Sequence, residues 1–250
     1  MAGHSKWKQI KRAKAVTDSK RSAQFTKLGR DITMAAKAGG GDPAGNARLR
    51  LAILKAREGN MPMDIIDRAI NKAVGDTDAS QLVEIVYEGY GPGGTAVMVE
   101  AVTDNRNRTV AEVRNALNRG GGNLGETGSV GWVFTTRGEL TLNLKKGDDP
   151  DEIALGAIDA GAEDFTVDED VMTIYTRPED MEAVRKALID TGIEPASADI
   201  ARIPNNTVML DEKDAIQALR LLDKLEDLED VQRVYSNADF PEAALAAYSG

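Results

Sequence analysis

Between Phe25 and Gly75, apolar side chains recur every three or four positions. Beyond Leu82 the spacing changes to alternation, the change expected where helices give way to strands. Phe25, Leu28, Ile32 and Ala35 or Ala36 make one stripe and predict a helix over 20–37, ended by Gly39-Gly40-Gly41. Asp42-Pro43 predicts the next start, with Asp as N-cap and Pro at the first helical position. That helix buries Leu49, Ile53 and Ala56 and stops at Gly59. A third opens at Asn60, with Pro62 near its start, and runs through Ile66, Ala69, Ile70 and Ala73 to Gly75. Three such helices predict a small bundle. Residues 1–19 offer only Trp7, Ile10 and Val16 as large apolar groups, so they predict a tail that stays mobile until it meets a partner.

Residues 76–81 read as a polar linker. Val83, Ile85 and Tyr87 then alternate, GYGPGG turns, and residues 95–102 complete a hairpin. A helix is predicted over 106–119 with the stripe Val110, Val113 and Leu117. The glycine-rich loop 120–128 follows, then a strand over 130–135 containing Trp132. Residues 139–203 show a βαββαβ order, the ferredoxin-like split βαβ. The chain closes with a strand at 208–210, a helix over 211–225 and a strand at 231–235. These need a sheet to join, and the sheet begun at residues 83–135 is the simplest. Three domains follow: 1–76, 82–137 with 204–250, and 138–203 inserted between the two halves of the second.

Charge changes the picture most. Up to Lys72 there are 16 Lys and Arg against 6 Asp and Glu; the rest of the chain carries 15 against 35. A chain of net charge −10 thus gathers its cations at one end, a pattern that points to a polyanion partner. Lys6, Lys8, Lys11, Arg12, Lys14, Lys20 and Arg21 face only Asp18 in the stretch that ends at Arg21. Trp7, between Lys6 and Lys8, suits stacking on a base while the lysines hold phosphates.

The residues for catalysis are scarce. There is no Cys, which fits a reducing compartment, and His4 is the only histidine, so thiolate or multi-His metal sites are excluded. Gly120, Gly122 and Gly125 match G-x-G-x-x-G, but the loop follows a helix and enters a strand, the reverse of a dinucleotide site. Ser129 lacks the glycine two positions before it that a nucleophile elbow needs. Asp168, Glu169 and Asp170 lack the alternation of an EF-hand loop. The reading is a non-enzyme with no cofactor, no metal and no small-molecule substrate. No run of about 18 apolar residues predicts a membrane span. The basic start lacks the apolar segment of a secretory signal, and GHSKW so close behind Met1 disfavours the alternative of a mitochondrial presequence, so a cytoplasmic protein is expected.

Several stretches carry a resemblance: GHSKW (3–7), DPAGNARLR (42–50), NMP (60–62), YEGYGPGG (87–94), TDNRNRT (103–109), GGNLGETGSVGWVF (121–134) and YSNADFPE (235–242). Over nearly its whole length the chain resembles the YebC/PmpR family. That resemblance implies an α+β protein: an N-terminal small helical bundle followed by two ferredoxin-like α/β domains, the third inserted into the second. It also implies a nucleic-acid-binding regulator of gene expression. Bacterial relatives are described as DNA-binding transcriptional regulators, and others, including a mitochondrial translational activator, act at the ribosome. The sequence departs from the family pattern at Ser22 and Ala23, at Met63 and Ile65, and at Ala238.

The candidate contacts are Lys6, Trp7, Lys8, Lys11, Arg12, Lys14, Lys20, Arg21, Arg48 and Arg50. The expected partner is DNA or ribosomal RNA, with the ribosome as the larger target and no membrane. The alternatives are a ribosome-associated translation factor or activator that binds rRNA or tRNA, and a protein-interaction module that binds no nucleic acid.

Overall fold

The computed structural model describes residues 18–75 and 81–249. Among the described residues three helices come first: α1 (Asp18–Gly39), α2 (Ala47–Glu58) and α3 (Met63–Val74). Leu28, Ile32, Leu49, Ala56 and Ile66 are buried together, with Ile53 and Ile70 partly buried against them. The apolar stripes therefore face one another. The start of α2 differs from expectation. Asp42 Oδ1 accepts from Ala44 N at 2.9 Å, and the cap is Asn46, whose Oδ1 accepts from Leu49 N at 3.0 Å. Asn46 Nδ2 also donates to Ala35 O and Gly40 O, each at 2.8 Å. One buried amide thus ends α1 and starts α2, so the proline lies ahead of the helix.

The hairpin follows as β1 (Val83–Tyr90) and β2 (Ala96–Thr103), then α4 (Arg106–Arg119), capped by Asn105, and a two-residue strand β3 (Asn123–Leu124). The predicted strand over 130–135 is strand only from Phe134. Gly131–Val133 is a 3-10 turn, and strand β4 runs over Phe134–Asn143. The reason is local: Glu88 accepts from the Val130 and Gly131 amides, so those donors are unavailable to a sheet. After β4 come α5 (Pro150–Asp159), β5 (Ala162–Asp168), β6 (Val171–Thr176), α6 (Met181–Asp190) and β7 (Ser197–Pro204). Their sheet has the order β5-β6-β4-β7, antiparallel throughout, as the split βαβ pattern requires.

The chain ends with β8 (Val208–Met209), α7 (Glu212–Glu226), β9 (Val231–Ser236), β10 (Ala238–Asp239) and α8 (Glu242–Ser249). β9 joins the first sheet, giving the order β3-β1-β2-β9, antiparallel at every pair. β8 does not join it; it pairs in parallel with β10 in a separate two-stranded sheet. The core of this part gathers Val97, Val99, Val113, Leu117, Leu219 and Leu222. The fold class is α+β, with a helical N-terminal region and antiparallel sheets. The contacts divide the described residues into two compact units, Phe134–Asn205 and those on either side of it. The helical bundle and the first sheet therefore belong to one unit.

Candidate nucleic-acid interface

The cations of the bundle face inward as well as outward. Lys27 Nζ donates to Glu226 O, and Lys37 Nζ to Leu82 O at 3.2 Å. Arg48 forms an ion pair with Glu84 of β1, both side chains about half exposed. Arg30 reaches Glu229 Oε1 and Asp230 Oδ1, each at 2.9 Å. Four cations of the basic end are thus bonded to the rest of their own unit. Part of the charge asymmetry read from the sequence is satisfied within the chain.

Asp230 is the centre of that junction. Its side chain is 1% exposed. Arg108 Nη2 lies 2.8 Å from Oδ2 and 3.0 Å from Oδ1. Thr109 and Thr103 donate to Oδ2 at 2.7 and 3.0 Å. Burial alone would raise the pKa of this carboxyl. The hydrogen bonds from Arg108, Thr109 and Thr103, with the Arg30 charge, outweigh burial and hold it below the usual carboxylate range. Hydrogen bonds to Asp230 and then to Asp104 raise the Arg108 guanidinium further above its ordinary value. The TDNRNRT stretch is therefore structural: it caps α4 through Asn105 and surrounds a carboxylate from β9's approach.

The glycine-rich loop has a similar explanation. Glu88, buried on β1, accepts from the amides of Gly128, Val130 and Gly131 at 2.8, 2.7 and 2.6 Å. Gly122 lies so close to Tyr90 that a Cβ there would stand 2.0 Å from the Tyr90 carbonyl oxygen. The loop is packed on the strand, with no cradle for a pyrophosphate. It presents Trp132, 73% exposed, whose indole donates to Ser129 O at 3.1 Å.

Of the ten predicted contact residues, Lys6, Trp7, Lys8, Lys11, Arg12 and Lys14 lie outside the described residues, as does the side chain of Lys20 in the first turn of α1. Arg21 is exposed on α1. Arg50 donates to the carbonyls of Pro43 and Ala44 at 2.7 and 2.9 Å, so it braces the turn before α2. Arg48 and Arg50 are two positions apart on one helix and do not share a face. Sequence reasoning missed Asp230 and the role of Glu88, which reads as an acid pair with Glu84, because their partners lie far along the chain. It also missed Arg119, Lys213, Arg220 and Lys224, hidden in a segment counted as acidic. Among the described residues no group of three or more His, Cys, Asp or Glu could hold a metal ion, and no helix is long and apolar enough to cross a membrane.

These features define a class of multi-part α+β proteins: a cationic helical bundle ion-paired onto one antiparallel sheet, with a second α/β unit interposed in the chain. The model of the TACO1/YebC N-terminal domain matches residues 5–76, and that of the TACO1/YebC second and third domain matches residues 82–238. The chain belongs to the TACO1/YebC family. It is 53% identical over 248 residues to a "probable transcriptional regulatory protein" of Dehalococcoides mccartyi, covering 99% of this chain and 98% of that one. A protein of the same description from Chloroflexus aurantiacus is 52% identical over 250 residues, with 99% of each chain covered. The crystal structure of a conserved hypothetical protein from Aquifex aeolicus superposes with a TM-score of 0.82 at 43% identity, covering 90% of this chain and 92% of that one.

Proposed function

We propose that this chain is a nucleic-acid-binding regulator of gene expression in the cytoplasm, acting without catalysis. The contact is carried by Lys6, Trp7, Lys8, Lys11, Arg12, Lys14, Lys20 and Arg21. One observation carries the reading: these seven cations stand against Asp18 alone, in a chain of net charge −10. Arg30 and Arg48, by contrast, are bonded to acids of the same unit. The names of the relatives in Dehalococcoides and Chloroflexus support a place in transcription, which makes duplex DNA the first target.

A second reading, an RNA contact at the ribosome, is favoured by one observation. Residues 59–62 join α2 to α3 with the spacing of a helix-turn-helix, whose second helix meets base edges with its first turn. Here that turn carries Asp64, bonded to Arg68 at 2.6 Å, and an acid there repels phosphate. Crosslinking in cells, followed by sequencing of both DNA and RNA, separates the two. Recovery should fall when Lys6, Lys8 and Lys11 are replaced together by Ala. Unchanged recovery from that variant would reject the amino-terminal contact.

A further inference from the structure

Arg119 at the end of α4 and Lys213, Arg220 and Lys224 along α7 line one groove of about 590 Å³. All four are exposed. Among the described residues none of the four has a hydrogen-bond or ion-pair partner. Arg30, Arg48, Arg108, Arg177 and Lys186 are ion-paired elsewhere in the chain, so what sets these four apart from other unpaired cations is that they converge on one groove. No acidic side chain lines the groove. The nearby acid Asp223 is taken up by the Tyr248 hydroxyl. Gln217 Nε2 donates to Gly120 O at 3.1 Å, which covers a carbonyl at the negative end of α4.

We infer that this groove binds the sugar–phosphate backbone of a single-stranded nucleic acid, RNA in the first instance, as a second contact separate from the amino-terminal one. The spacing favours a repeating anion. Lys213, Gln217, Arg220 and Lys224 fall on one face of α7, and Lys213 and Lys224 stand about 16 Å apart along the axis at about 1.5 Å per residue. A lone phosphate cannot span that distance; a strand can. The shape favours one strand over two. The cations rim a cleft between two packed helices, while the duplex presents a much wider convex surface. Ile216 and Leu221 supply an apolar floor on which a ribose can lie. In a chain of net charge −10, unpaired cations gathered without a single acid are matched by a polyanion.

The inference rests on the nucleic-acid reading above but not on its residues. The test uses the full chain, a groove variant with Arg119→Ala, Lys213→Ala, Arg220→Ala and Lys224→Ala, and the tail variant with Lys6→Ala, Lys8→Ala and Lys11→Ala. Circular dichroism checks that each is folded. The probes are short fluorescein-labelled oligo(U), oligo(dT), a DNA duplex and a polyglutamate peptide. Four contacts on a single strand contribute a slope of about −3 in log K against log salt, and the groove variant should lose most of it, with about tenfold weaker oligo(U) binding near 0.1 M salt. Duplex binding should be unaffected, and oligo(U) should shift the amide resonances of Gly120 and Gln217. If the groove variant binds oligo(U) with unchanged affinity and slope while the tail variant weakens, the groove inference falls and the amino-terminal contact stands. If only the groove variant weakens, the groove stands and the amino-terminal assignment falls. Groove-dependent capture of polyglutamate with no oligonucleotide binding would overturn the inference in favour of an acidic protein. No binding of any probe would overturn both.

Discussion

Arg30 and Asp230 are 200 residues apart in sequence, and their side chains meet at 2.9 Å. That contact holds α1 of the helical bundle against the entry to β9. Arg108 closes the other side of the same carboxylate, and two threonine hydroxyls complete its shell. The bundle and the first sheet form one compact unit, and this junction is the clearest reason.

Replacing Asp230 should therefore be costly. Removing one partner of a buried ion pair typically costs about 3–5 kcal/mol, because the remaining charges are left uncompensated. Asp230→Ala should lower the unfolding free energy by an amount in that range, read as a lower urea midpoint, and Arg30→Ala by less, since Arg108 still holds the carboxylate. The pH dependence has a definite sign. A carboxyl whose folded pKa is depressed contributes stability that is fully present above its unfolded value, about 3.9, and is lost as pH falls through the folded value. The gap between the parent chain and Asp230→Ala should thus be constant from neutral pH down to about 4 and narrow below it. A gap that stays constant down to pH 2 would show that the carboxylate is not charge-paired as described.

Glu88 fixes the loop that carries Trp132. Glu88→Gln removes the charge, and the amide cannot accept all three backbone bonds as the carboxylate does. A charge-assisted hydrogen bond contributes about 1.5–3 kcal/mol, so a loss of about 2 kcal/mol is expected. Trp132 can report it. With Trp7 replaced by Phe, the fluorescence comes from Trp132 alone. Glu88→Gln should change its emission and speed hydrogen exchange at Gly128, Val130 and Gly131. Unchanged exchange at those amides would show that the carboxylate does not order the loop.

How much of this is legible in the sequence depends on distance along the chain. The bundle's stripes are, because Leu28, Ile32, Leu49 and Ile66 follow a period set by one helix at a time. The order of the 134–205 unit is too, since a split βαβ is written in consecutive elements. The Trp132 segment reads wrongly as a strand because its alternation is genuine, but Glu88, far back on β1, takes the donors a strand would need. The cap of α2 reads wrongly because Asp-Pro is a local signal, whereas Asn46 is chosen by the end of α1 folded against it. Net charge misleads most. Summed over everything after Lys72, it hides Arg119, Lys213, Arg220 and Lys224, which only the packing of α4 and α7 brings together.

The amino-terminal cations should be visible as a salt dependence. On single-stranded RNA each phosphate contact contributes about −0.7 to the slope of log K against log salt. Lys6, Lys8 and Lys11 replaced together by Ala should reduce the slope by about 2. Trp7→Ala should cost about 1–3 kcal/mol with little change of slope, because stacking releases few counterions. Arg48→Ala should change binding less than any of these, since its partner is Glu84, and should change stability by less than about 1 kcal/mol. If Arg48→Ala instead matches the triple variant, the contact lies on the α2 face.

The unit 134–205 should fold when expressed alone, whereas the boundaries 139–203, read from the sequence, should not serve as well. β4 pairs with β7 from Phe134 opposite Pro204 to Thr141 opposite Ser197, and starting at residue 139 deletes five of those eight pairs. It also deletes Gly138, which lies opposite Thr176 on β6 and under Met181 of α6. A Cβ there would stand 2.3 Å from Thr176 Oγ1 and 2.8 Å from Met181 Cβ. The closure between Thr135 Oγ1 and Asn205 Oδ1, at 2.7 Å, is lost with it. A domain of this size buries only a modest share of its surface and has little stability to spare. The longer fragment should give a dispersed amide spectrum and a cooperative urea transition. The shorter one should unfold at lower urea or show a collapsed spectrum. Equal midpoints for the two would mean that the first half of β4 contributes nothing to the unit, and that the sheet begins at residue 139.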